Sequence, residues 1–389
     1  MKVYDALPPA SARVGFYRAV GPWKDVAVVE FGPEGTMHYV QSAVRGETGH
    51  FFATGLKERQ IIFGDVGGLE KAILEIDQRL KPNLLVIMSS PVSEIIGADL
   101  RAVCVKMKRQ VRSDLIVWEN IPVESRETLG KRIAYQKAAA WLKKLPYSVA
   151  AAKKSGALVL GLSEVDYNGV SDLNEIRRML WEYFGVPLLN DELGRYDLAA
   201  VNQAQWILVV EPEAVPLAAA AQELWGTPWH QGVPYGLSSC TEMVNAAAQA
   251  FHIQPSARWQ QEQTEAELAI HRFRTSTEAR RKRRFFLDVR PSRIDALEAL
   301  LSKELGLQTC IPSSGVSALS TDGAVTKSLE ISREDVLLAS GLLCALHAEN
   351  SSLCMDDPVV RHKTFSCHLP LMGIWGTENL LSILYSFLL

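Results

Sequence analysis

Cysteine is scarce and unpatterned in this chain. The 389 residues include six cysteines and no CxxC pair, too sparse a set for a disulfide framework or a zinc ribbon. Charge of one sign is lacking as well: 41 Lys+Arg against 44 Asp+Glu leave a net charge of −3, with no strong pull towards nucleic acid or anionic lipid. No apolar run reaches the roughly 18 residues that span a bilayer, while an apolar content of 48% excludes a disordered chain. The opening MKVYDALPPASARVG lacks the basic-then-apolar order of a secretion signal. There is no GxxxxGK[ST], no GxGxxG after a strand, no HExxH and no GxSxG. P-loop ATP binding, the usual dinucleotide fingerprint and the signatured nucleophiles are thereby removed. Heptads, low-complexity tracts and short repeats are missing too. The expectation is a soluble, cytoplasmic globular protein, of two or three domains by its length.

What is present is a rhythm of short apolar runs, each followed by a helical stretch. Asp25–Phe31 (DVAVVEF), the LLVIM after Asn83 and the DLIVW from Asp114 read as buried strands. Gly68–Leu80, Ile95–Arg112 and a stretch near Gly130–Leu145 read as the helices among them. Strands that are apolar throughout, alternating with helices, predict a parallel sheet covered on both faces. The rhythm restarts at Gly156, with strands at Ala157–Ser163 and Trp206–Pro212. The helices here are Asp172–Gly185, AVPLAAAAQELWG ending at Gly226, and one around Glu242–Phe251. Asp or Ser at the start of the first and Gly at its end are cap residues. FFLDV (Phe285–Val289) opens a third series, with a helix at Ser292–Gly306 and the closing ENLLSILYSFLL. Three successive α/β units follow from this pattern, at 1–150, 151–275 and 276–389.

Few residues carry a chemical signal alone. In FGPEGTMHY (Phe31–Tyr39) a strand ends in Gly-Pro and another Gly follows. This places a tight turn at the carboxyl edge of a parallel sheet, where α/β proteins bind ligands or partners. Thr36 and His38 fall on or just after that turn, and Thr36 is suited to capping a helix. Cys354, His362, Cys367 and His368 lie close in sequence but lack the C-x2–4-C spacing of a zinc site, so no metal is assigned to them. Cys104, Cys240, Cys310 and Cys344 read as small buried hydrophobes. The run Arg280–Arg284 reads as a solvated helix end, and Asp166, Asn168 and Asp172 as turn and cap residues.

One stretch carries more. Ser11-Ala-Arg-Val-Gly15, the turn Gly32-Pro33-Glu34-Gly35-Thr36, GLKERQIIFGD (Gly55–Asp65) and SSPVSEIIGADL (Ser89–Leu100) follow one another in an order and spacing that resemble the component 1 family of nitrogenase-like oxidoreductases. The family's "GPxGC" turn is matched by GPEGT, and its "C…EIIGDDL" by PVSEIIGADL (Pro91–Leu100). YNGVSDLNEIRRML, GTPWHQGVPYGLSSCTEMV and the ending VRHKTFSCHLPLMGIWGTENLL are similar to its later segments. The resemblance implies three Rossmann-like parallel-sheet domains around a central cleft. It also implies an iron–sulfur cluster, held at a subunit interface through three cysteines of the first domain. Carried across by spacing, those positions are Ser11, Thr36 and Pro91. None is a thiol, and hydroxyls or a proline are poor iron ligands beside thiolates.

Glu34 and Glu94 lie beside these positions, in a family where one member class supplies a carboxylate from one subunit and three cysteines from the other. Glu34, Thr36, His38, Pro91 and Glu94 are therefore the candidate cofactor-site residues. His362 joins them, because it lies next to Lys363, where catalytic subunits of the family carry a cofactor-ligating histidine. Trp225, Trp229, His230 and Tyr235 match a loop that faces the cavity in related proteins. The function implied is that of a subunit in a nitrogenase-like, ATP-dependent two-component reductase. A paralogous partner would hold a shared [4Fe–4S] cluster, a P-loop iron–sulfur reductase would deliver electrons, and a tetrapyrrole or other small molecule would be reduced. The alternative is a non-catalytic scaffold or assembly subunit that has lost redox chemistry.

Overall fold

The computed structural model of the chain describes residues 11–43, 50–119, 126–145, 154–278, 283–311, 331–356 and 369–388. These divide into two compact units, one of residues 10–151 with 195–202, the other of 152–194 with 203–389.

In the first unit the elements run α1 (Ala12–Val20), β1 (Val26–Phe31), α2 (Glu34–Ala43), β2 (Phe51–Ala53), α3 (Glu58–Phe63), α4 (Gly67–Leu80), β3 (Leu84–Ser89), α5 (Pro91–Ile95), α6 (Leu100–Met107), β4 (Asp114–Trp118) and α7 (Glu127–Leu142). The strands form one parallel sheet in the order β2-β1-β3-β4, with Val28 opposite Phe51 on one side and Val86 on the other. β1 and β3 are buried at every residue, which is why their runs are apolar on both faces. On one face Ala27, Val29, Leu85 and Ile87 pack with Leu69 and Ile73 of α4 and with Leu100 and Val103 of α6. Each Val, Leu or Ile side chain among them contributes roughly 1.5–3 kcal/mol by leaving water. Ring contacts seat α1 on the sheet: Phe16 against Trp118 at 4.3 Å and Tyr17 against Phe51 at 4.7 Å between centroids. The helix expected at Ile95–Arg112 is shorter, α6 alone, and is separated from α5, which ends at Ile95. Gly97 takes a left-handed φ of 66°, and the Asp99 carboxylate accepts from the Ala102 N–H at 2.9 Å to start α6 afresh.

α1 and α7 cross at glycines. A Cβ on Gly15 would lie 2.0 Å from the Glu127 carbonyl oxygen, and one on Gly130 would lie 1.7 Å from that of Ala12. The segment 195–202 completes this unit. Tyr196 accepts the Trp23 indole N–H at 2.7 Å, and the Asp25 carboxylate accepts from the N–H groups of Leu198 and Ala199 at 2.6 and 3.0 Å.

The second unit runs β5 (Gly156–Leu160), α8 (Gly169–Phe184), β6 (Ala204–Val209), α9 (Val215–Trp225), β7 (Trp229–Gln231), α10 (Gly236–Phe251), α11 (Ala257–Ser276), β8 (Arg284–Asp288), α12 (Pro291–Glu298), β9 (Gln308–Cys310), β10 (Val336–Ser340), α13 (Gly341–Leu346), β11 (Ser352–Asp356) and α14 (Gly373–Leu388). Its two sheets, β5-β6-β7 and β11-β10-β8-β9, are parallel throughout. They share one hydrophobic core, to which α8, α10 and α14 contribute Ile176, Met243 and Leu380 among others. Beyond Glu298 the helical turn continues with π-type hydrogen bonds over Ala299–Glu304, so the expected Ser292–Gly306 helix changes its winding part-way.

α14 is docked by carboxylates of α8. One Asp172 oxygen accepts from the N–H groups of Leu371 and Met372 at 2.6 and 3.0 Å, and Glu175 accepts from Trp375 at 3.1 Å. Arg178 stacks over the Trp375 ring at 3.9 Å while pairing with Glu175 at 2.8 Å and Glu262 at 3.0 Å. Among the described residues no helix is long and apolar enough to cross a membrane.

Candidate functional site

The carboxyl edge of the first sheet gathers three segments: the start of α1, the turn after β1 and the turn after β3. At their centre is Glu30, fully buried in an otherwise apolar strand. A carboxylate in such a place needs a counter-charge and hydrogen-bond donors, and it has both. Arg13 pairs with Glu30 Oε2 through Nη1 at 2.5 Å. The Tyr17 hydroxyl donates to the same oxygen at 3.2 Å, and the Thr36 hydroxyl reaches Oε1 at 2.6 Å. Arg13 Nη2 also donates to the Ser89 carbonyl at 2.9 Å, where β3 ends. Burial, and then the Glu30 charge, push the Tyr17 phenol well above its ordinary pKa, which keeps it a donor.

The two turns touch directly. The Ser90 hydroxyl donates to the Phe31 carbonyl at 2.8 Å and accepts from the Ser93 N–H at 3.1 Å, capping α5. A Cβ on Gly32 would stand 2.6 Å from that of Ser90, so the glycine of the turn is a steric requirement here.

The three positions matched to cluster cysteines lie in these segments and offer little to iron. The Ser11 oxygen caps α1, accepting from the Val14 N–H at 3.4 Å. The Thr36 hydroxyl lies between Glu30 and the Pro33 carbonyl, at 2.6 and 2.7 Å. It sits inside the first turn of α2, beyond the helix cap expected of it. Pro91 is exposed, occupies the first turn of α5 and has no donor atom on its side chain. Two committed hydroxyls and a proline do not fit a cluster held by this chain.

Of the neighbours, Glu34 is exposed at the first turn of α2. Glu94 is half-buried and accepts from the Ser89 hydroxyl at 2.5 Å, and His38 is exposed. His362, Cys367 and His368 lie outside the described residues. Among the described residues no three His, Cys, Asp or Glu side chains gather as a metal site.

Arg13 and Glu30 were not candidates in the sequence, although a signal was there. A lone Glu inside VAVVEF and a lone Arg inside SARVGFY each place a charge in a buried run, and two such charges require each other. Asp172 is the second omission. A cap residue by sequence, it is wholly buried, and burial raises its carboxyl to about 6 against the Met372 and Leu371 N–H groups that favour the anion.

At the carboxyl ends of β5, β6 and β8, Arg290 bridges Asp166 and Glu211 at 2.8 and 2.7 Å. In the aromatic loop, Tyr235 is buried and Trp229 donates to Gln222 at 2.9 Å. In the basic run, Arg283 donates to the Phe387 carbonyl at 2.6 Å and Arg284 pairs with Asp335 at 2.7 Å, while 280–282 lie outside the described residues. Cys104, Cys240, Cys344 and Cys354 are buried, and Cys310 is partly exposed.

Comparison with known proteins bears on the same segments. The pattern of the nitrogenase component 1 type oxidoreductase family matches residues 11–340. The chain is 26% identical over 251 residues to the nitrogenase iron-molybdenum cofactor biosynthesis protein NifE of Bradyrhizobium diazoefficiens, covering 59% of this chain and 43% of that protein. It is 27% identical over 214 residues to the protein of that name from Mesorhizobium japonicum, covering 51% and 40%. The match thus spans less than half the length of these curated relatives. Among solved structures, nitrogenase Cp1 at pH 6.5 superposes with a TM-score of 0.69 at 15% identity, covering 98% of this chain and 93% of that one. The same protein at pH 5 gives 0.69 at 17% identity, covering 98% and 90%. At such identities the likeness is one of fold, and it agrees with the parallel α/β sheets described above. With the family pattern extending from the start of α1 to the end of β10, the chain belongs to the nitrogenase component 1 type oxidoreductases.

Proposed function

We propose that this chain is a scaffold subunit in a paired component 1-type assembly, carrying or helping to build a metallocofactor without holding an electron-transfer cluster on its own first sheet. The observation that carries this reading is the state of the three cluster positions. Ser11 caps a helix, Thr36 is bonded to Glu30 and Pro33, and Pro91 has no donor. The similarity to cofactor biosynthesis proteins over 251 residues points the same way.

A second reading has its own support in the retained fold, which covers 98% of this chain in the nitrogenase Cp1 comparison. In it, the chain supplies cavity walls and a docking surface within an ATP-dependent two-component reductase. A paralogous partner then holds a [4Fe–4S] cluster, and a P-loop iron–sulfur protein delivers electrons to it. The test is iron and sulfide analysis with electron paramagnetic resonance, on chain purified anaerobically alone and together with its co-purifying partner. The scaffold reading expects no four-iron signal from the chain alone, and any iron gained on pairing to stay idle when the reductase is supplied. A reducible four-iron signal that needs the pair and turns over with the reductase would replace it by the second reading.

A further inference from the structure

The three segments that a family cluster would tie together are joined in this chain by one carboxylate and one guanidinium. Ser11 marks the first, and Arg13, two residues on, sends its guanidinium to Glu30. Thr36 marks the second and reaches the other oxygen of the same carboxylate. Pro91 marks the third, and the Ser89 carbonyl, two residues before it, accepts from the second Arg13 nitrogen. We infer that the Arg13–Glu30 pair is a metal-free crosslink that replaces the cluster at this sheet edge, so that the chain assembles the edge by itself and without iron.

Chemistry and position support the replacement. The Glu30 side chain is fully buried and that of Arg13 is 11% exposed, so removing either leaves the other as an uncompensated buried charge. Tyr17 and Thr36 occupy further acceptor positions of the carboxylate. Pair and cluster also exclude one another. A thiolate at position 36 would face the Glu30 carboxylate where a hydroxyl now reaches it at 2.6 Å, and like charges at that range oppose ionisation of the thiol. The inference concerns the chain's own sheet edge and is independent of which assembly the chain joins.

The experiment is thermal unfolding of the full chain, with and without a strong iron chelator, for the native protein, Arg13→Met, Glu30→Met and the double variant. The native midpoint should be indifferent to chelator. Each single variant should lose several degrees, and the double should lose clearly less than the sum of the two. A native midpoint that falls with chelator, single variants that unfold at the native temperature, or strictly additive losses would overturn the inference. A second readout survives if the single variants fail to fold. The variant Ser11→Cys/Thr36→Cys/Pro91→Cys, incubated anaerobically with iron and sulfide, should gain no visible cluster absorption while Arg13 and Glu30 remain. Cluster formation beside the intact pair would overturn it equally.

Discussion

Asp172 holds two backbone N–H groups of the α14 approach on one oxygen while burial lifts its carboxyl to about 6, from an ordinary 3.8. Its folded pKa is thus above the unfolded one. The stability it contributes is fully present below the unfolded value and is lost as pH rises through about 6. Glu175, whose carboxyl is also raised by burial, adds in the same direction. Asp172→Asn keeps the accepting oxygen and removes the charge. Urea unfolding should find it at least as stable as the native chain at pH 8, with a flatter profile between pH 4 and 6. Asp172→Ala strands both N–H groups and should cost about 2 kcal/mol or more at either pH. An Asn variant as damaged as the Ala variant would mean that the charge itself docks the helix.

The thiols give a second residue-scale test. Burial pushes Cys104 up to about 12 and Cys344 up to about 11, and it raises Cys240 as well. Alkylation at pH 8 followed by mass spectrometry should label Cys310 in the folded chain and reach these three only with denaturant. Labelling of Cys240 under native conditions would contradict its burial. The reading of Cys104 and Cys344 as small buried hydrophobes came straight from their apolar surroundings, whereas Cys310, read the same way, lies partly exposed on the three-residue strand β9. The buried pair of Arg13 and Glu30 was not legible in this way, because an ion pair between residues on different elements has no spacing rule to reveal it.

At the scale of elements, the α1–α7 crossing makes a sharp prediction. On an exposed helix, Gly to Ala gains about 1 kcal/mol in propensity. At Gly130 the new methyl meets the Ala12 carbonyl at 1.7 Å, so Gly130→Ala should instead lower stability by about 1–3 kcal/mol, read in a denaturant midpoint. A stabilised variant would show that the helices part without cost. The long parallel strands were legible because β1 and β3 are covered on both faces and are written in unbroken apolar residues. β2, β7 and β9 have three residues each, too short to show any period. β10 runs straight into the apolar GLLCAL of α13, and composition alone does not divide strand from helix there. The break inside 95–112 was written as Gly97 and Asp99, a left-handed residue and a cap, but the apolar spacing continues across it.

For the whole molecule, alternation of apolar runs with helical stretches was enough to read an α/β chain with parallel sheets, and short motifs at sheet edges were enough to read the family. The chemistry at the first edge was only half legible. Loss of three thiols is visible residue by residue, whereas what fills their place depends on side chains brought together from α1, β1 and β3. Nor does anything in 195–202 mark it as part of the first unit, since its partners Trp23 and Asp25 lie far away in sequence. A fragment ending at 150 should therefore unfold at lower temperature than one ending at 202, with weaker amide protection around Trp23 in hydrogen exchange. Equal midpoints would show that the return segment adds nothing. The same threading sets a schedule for biosynthesis. Between residue 151 and residue 202 the ribosome adds about 50 residues, roughly 3–10 s of translation at about 5–20 residues per second. Throughout that interval the nascent first unit lacks its last piece, so its maturation is coupled in time to the emergence of β5 and α8, and a translational pause there would prolong an unfinished intermediate.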